Sequence, residues 1–108
     1  MGIITDALDL LRRDGWCKGD LRNEDGAHCI SGALFEVSPG GVCPVFLDAG
    51  DKIVRAIRSQ FPRWTPMIRS QFPQWTRIIP LFNDDLRTSF SDVELVMEKA
   101  ALEMGESL

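Results

Sequence analysis

Long apolar runs are missing from this chain. No stretch approaches the roughly 18 to 20 consecutive apolar residues that span a bilayer, so no membrane partner is expected. An export signal is missing too: there is no basic n-region, and Asp6 and Asp9 interrupt the N-terminal apolar residues. A cytoplasmic setting is expected. Cysteine is scarce and odd in number, which disfavours a disulfide framework and predicts that Cys17, Cys29 and Cys43 are reduced thiols. There is a single histidine, His28, so chemistry that needs two imidazoles has no second group to use. No G-x-x-x-x-G-K-S/T, G-x-G-x-x-G or G-x-S-x-G motif occurs, which removes the common nucleotide-binding and hydrolase signatures. No window alternates apolar and polar residues long enough to require a sheet. Val42 to Leu47 is a short strand at most.

What is present is ordinary for one globular domain. The 108 residues are 44% hydrophobic and 26% charged, enough to bury one core without metals or disulfides. Residues 1–108 are therefore expected to form a single domain. Ile4, Leu8 and Leu11 mark an amphipathic helix over Ile3 to Arg13, with Arg12 and Arg13 suited to its negative end and Gly15 to its stop. Trp16 is expected to fold back onto the core. Asp25-Gly26 signals a turn, and a short helix fits Cys29 to Val37, where Gly32 and Ala33 let another backbone come close. The third helix begins near Pro44 or is capped by Asp48 or Asp51, with a break or turn at Gly50 favoured. Ser91 and Glu94 match a capping box for a last helix, with Phe90 and Leu95 as its hydrophobic staple, and a start one turn earlier, at Thr88 or Ser89, is the alternative. These elements predict an all-α, compact single-domain bundle of four or five short helices.

Ile57 to Met67 is repeated directly by Ile68 to Ile78, with eight of eleven positions identical. Two copies are too few for a solenoid. One copy, the first by preference, is expected to be an extra loop or short helical turn outside the ancestral core. The same region lacks acid: Lys52 to Arg77 carries six basic residues, which leaves −10 for the rest of a chain of net charge −4.

The candidate chemistry is sparse. His28 and Cys29 are adjacent, but neighbours on a helix point apart, and free cysteine usually packs as a small hydrophobe. Cys17, Cys29, Cys43 and His28 match a zinc ligand set by count, yet lack the close C-x2-4-C pairs that preorganise thiolates. Asn83-Asp84-Asp85 reads first as an Asx-type turn leading to the last helix, since the carboxylates of a calcium loop are missing. No catalytic group, cofactor or metal is therefore expected. The stronger signal is the basic stretch, where Arg58, Arg63, Arg69 and Arg77 interleave with Phe61, Trp64, Phe72 and Trp75. Arginine and tryptophan are typical protein-interface anchors. The same mixture pairs phosphates and stacks bases, although a pI near 4.9 is unlike a nucleic-acid module. Core packing of the rings beneath solvated arginines is the purely structural alternative.

The order of markers resembles a family of small uncharacterised proteins of actinobacteria and their phages. The matching residues are Gly15-Trp16, Gly26-x-x-Cys29-x-x-Gly32-Ala33-Leu34, Phe82-Asn83-Asp84, and the helix start at Phe90-Ser91-Asp92-Val93. The duplicated region departs from that pattern. The resemblance implies a compact helical fold and no particular reaction, and it makes a phage accessory protein that binds a host protein the leading expectation. Arg58, Arg63, Trp64, Arg69, Trp75 and Arg77 are the expected contact residues. A nucleic-acid-binding regulator using residues 52–77 is the alternative, and a thiol or zinc site around Cys29 a distant third.

Overall fold

In this computed structural model the described residues are 2–67 and 75–108, with the side chains of 65–67 and 75 outside the description. Five α-helices carry the fold among them: α1 (Ile3–Asp14), α2 (Ile30–Val37), α3 (Pro44–Gln60), α4 (Trp75–Asp84) and α5 (Phe90–Glu103). A 3-10 helix, Pro62–Met67, follows α3. The described residues contain isolated bridges but no strand, as the missing apolar–polar alternation predicts. Helix α3 lies at the centre, packed against α5, α4 and the 3-10 helix, while α1 packs against α2 and α5. The radius of gyration of 12.5 Å is that of a tightly folded chain of this length, about 13 Å.

Helix α1 buries Ile4, Leu8 and Leu11 on one face. Its exposed Arg12 reaches α5, bonding Glu94 at 2.9 Å. The first amides of α1 find their acceptor far along the chain: Thr5 and Ile4 donate to the Glu106 carboxylate at 2.8 and 3.2 Å. A carboxylate suits the positive end of the helix, and the contact joins the two ends of the described chain. At the other end Gly15 takes φ +102°, a conformation open to glycine at little cost.

Trp16 to Cys29 is a loop that bonds to itself and then to the bundle. The His28 amide donates to the Gly15 carbonyl, and the Cys17 amide to the His28 carbonyl. Helix α2 starts at Ile30, one residue later than expected, because Cys29 is its N-cap and accepts the Gly32 amide at 3.3 Å. The close approach anticipated at Gly32 is real. A Cβ built there would overlap the Leu21 carbonyl, whose oxygen also accepts the Cys29 amide.

Three expectations are corrected. Helix α3 has Pro44 at its first turn but runs unbroken through Gly50. Phe46, Ala49, Ile53, Val54 and Ile57 are buried along one face, and that packing outweighs a glycine penalty of about 1 kcal/mol. Helix α5 takes the earlier of its two expected starts, so its capping box is Ser89 with Asp92 rather than Ser91 with Glu94: Ser89 Oγ accepts the Asp92 amide at 3.3 Å, and the Ser89 amide donates to the Asp92 carboxylate at 3.0 Å. Glu94 is thereby free to pair with Arg12, and Leu95 stays exposed. Finally, the first repeat copy supplies two side chains to the core. Ile57 is fully buried on α3, Phe61 closes that helix, and Trp64 packs edge-on against Phe82 with ring centroids 6.2 Å apart. The copy does form a short helical turn, but one that covers the core. In the second copy, residues 68–74 lie outside the described residues, and Trp75 to Ile78 opens α4. Pro80 removes one amide donor within α4, which buried Ile78, Ile79 and Phe82 hold in place.

Candidate functional site

The end of α4 is fixed by one buried side chain. Asn83 Oδ1 accepts from the Trp16 indole at 2.7 Å and from the Ile30 amide at 3.0 Å, and its Nδ2 donates to the Cys17 carbonyl at 3.0 Å. Long-range bonds thus replace the local turn expected from Asn83 or Asp84. The Asx turn belongs to Asp85, whose Oδ1 accepts the Arg87 amide at 2.8 Å. Asp84 faces the loop and accepts the Gly19 amide at 2.9 Å. These bonds hold residues 84–87 as a rigid rim.

Beside that rim lies an open hollow of about 480 Å³, lined by Arg63, Trp64, Leu81, Asp84, Asp85 and Arg87. Trp64 forms part of its wall though the residue is only 6% exposed, and the indole N–H is buried without an acceptor. Leu81 is 41% exposed, and Leu86 on the rim is 97% exposed. The Arg63 guanidinium stacks near the rings of Phe61 and Trp64, at 5.3 and 6.0 Å from their centroids. Asp85 is already engaged: two bonds of 3.1 Å from Arg87 lead the effects that hold its carboxyl down at about 2. The acids of the rim are therefore occupied within the protein.

The basic stretch behaves differently. Lys52 pairs with Asp48 at 3.1 Å, but no described carboxylate forms a salt bridge with Arg55, Arg58, Arg63 or Arg77. Residues 68–74 contain no acid either. Elsewhere Arg12, Arg13 and Arg87 each hold a carboxylate.

Of the residues expected to form a contact surface, the fold brings Arg63 and Trp64 together at the hollow. Trp64 does so as a buried wall. Arg77 is exposed on α4, one helical turn before Leu81 and on the same stripe. Arg58 is exposed on the last turn of α3 and does not line the hollow. Arg69 and the Trp75 side chain lie outside the described residues. Sequence reasoning missed Leu81 and Arg87, which fall outside the acid-free window. Leu86, flanked by Asp85 and Arg87 in the turn after α4, was the available signal for this rim.

The thiols and the histidine do not converge. Among the described residues no three His, Cys, Asp or Glu side chains gather closely enough to hold a metal ion. Burial raises the Cys29 thiol above its ordinary value, and its sulfur serves as a helix cap. His28 is buried with both ring nitrogens unbonded. Cys43 sits at the start of α3, where the Ser38 hydroxyl and then the Phe46 amide pull its thiol below the ordinary value. No described helix is long and apolar enough to cross a membrane.

No curated protein and no solved structure matches the chain. A family model does match, over residues 2–103, and nearly the whole chain lies within it. The chain belongs to that family, described as a family of unknown function (DUF6197).

Proposed function

We propose that the protein is a small non-enzymatic binding module that seats a partner protein in the hollow between the 3-10 helix and the end of α4. One observation carries this reading: Arg63, with no described carboxylate partner, lines an open, part-apolar hollow whose rim is held by Asn83 and Asp85. Interface anchors are typically Arg and Trp at a desolvated pocket, ringed by less energetic contacts. Arg63, Arg77, Leu81 and Leu86 are the contact residues, with Trp64 as the wall behind them. The resemblance noted above suggests the setting, a phage accessory protein acting on a host protein in an actinobacterial cytoplasm.

The test is affinity capture from an actinobacterial lysate with wild-type protein, Leu81→Glu and an exposed control on α5, Leu102→Glu. A protein retained by wild type and by the control but lost with Leu81→Glu supports the reading. Identical capture by all three contradicts it. The acid-free basic stretch favours a second reading, nucleic-acid binding, whose sign is affinity that falls steeply with salt as counterions are released.

A further inference from the structure

Resting on that reading, we infer that the partner presents an acidic segment carrying one large apolar side chain. The charge layout supplies the first half of the argument. Arg63 lines the hollow and Arg77 is exposed on α4 one helical turn before Leu81, neither with a described carboxylate partner, within a stretch from Lys52 to Arg77 of formal charge +6. A guanidinium offers a planar fork of donors that matches a carboxylate with two parallel bonds. Both cations are exposed, so neither has been neutralised by burial.

The hollow itself supplies the second half. Its acids are spent: Asp85 is bonded by Arg87, and Asp84 by the Gly19 amide and Asn83. An incoming carboxylate can therefore pair with Arg63 without displacing an ion pair within the protein. Leu81 and Leu86 expose apolar surface that an acidic chain alone would leave wet. A Leu, Phe or Trp side chain on the incoming segment covers it, and 480 Å³ is ample room for one such group. A base or sugar-phosphate chain fits less well, because Trp64, the aromatic ring among the described lining residues, is buried and offers no open face on which a base could stack.

The test is fluorescence anisotropy with four labelled probes: the peptides EELWEE, KKLWKK and EESSEE, and an oligothymidine. EELWEE is expected to bind tightest. The Arg63→Glu/Arg77→Glu double variant should weaken it by about tenfold or more, which corresponds to about 1.4 kcal/mol per factor of ten. Both positions are exposed, and an unchanged melting temperature would show the fold intact. Equal binding of KKLWKK, tighter binding of oligothymidine, or indifference to the double variant overturns the inference. So does sedimentation showing a second copy of the chain on this face, with dimers that the double variant dissolves. If the peptides fail while capture still depends on Leu81, the acidic chemistry alone is lost. If capture is also indifferent to Leu81, the binding reading falls with it.

Discussion

The side-chain oxygen of Asn83 holds the Trp16 indole and the Ile30 amide at once, at 2.7 and 3.0 Å. One residue on α4 thereby fixes the entry to the long loop and the first turn of α2. Asn83→Ala would leave the Trp16 N–H, the Ile30 N–H and the Cys17 carbonyl without these partners. The expected cost is about 3 kcal/mol, since each buried unsatisfied group costs about 1 to 3. Denaturant unfolding measures it, and a loss below about 1 kcal/mol would contradict the clamp.

Gly32→Ala separates local propensity from packing. On an isolated helix the change stabilises by about 1 kcal/mol. Here the new methyl would overlap the Leu21 carbonyl, a backbone atom with little room to move. The expected sign is therefore reversed, with a loss of about 2 kcal/mol or more. A rise in melting temperature would show that the loop does not press on α2.

Trp64 is a wall residue whose indole N–H lacks an acceptor. Trp64→Phe keeps an aromatic ring against Phe82 and removes the unpaired donor, so it should cost less than about 1.5 kcal/mol. Trp64→Ala should cost about 3 to 5 kcal/mol, as large-to-small core changes do. Equal losses for both would mean that ring packing is not what Trp64 contributes.

The three thiols should separate cleanly on alkylation of native protein. Cys43 is partly exposed with its thiol pulled down by Ser38 and the start of α3, and should react first. Cys29, buried and raised by that burial, should react last and only as fast as the protein opens. Cys29 modified first in folded protein would revive the thiol chemistry that its capping bond argues against.

These particulars also show what a sequence can carry. Helix α1, the Gly32 contact and the Pro44 start follow from local rules, namely period, glycine geometry and the missing proline N–H. The errors arose where a distant contact decides. The α3 face overrides Gly50, and of the two starts open to α5 the earlier one is taken, with Ser89 as cap and Glu94 left to pair with Arg12 on another helix. Asn83 reads locally as a turn residue, because nothing near it in the chain announces Trp16 or Ile30. The candidate site was half legible: the acid-free run pointed to Arg63 and Arg77. The rim of Leu81, Leu86 and Arg87 becomes its neighbour only through the packing of α4.

The most direct test places a photocrosslinking amino acid at position 81 and irradiates the protein in the lysate used for affinity capture. The account predicts a discrete adduct that protease destroys and nuclease leaves intact, and that Arg63→Glu diminishes. An adduct that nuclease removes, or one equally strong from a crosslinker at position 102 on α5, would contradict a protein-binding face built around Arg63 and Leu81.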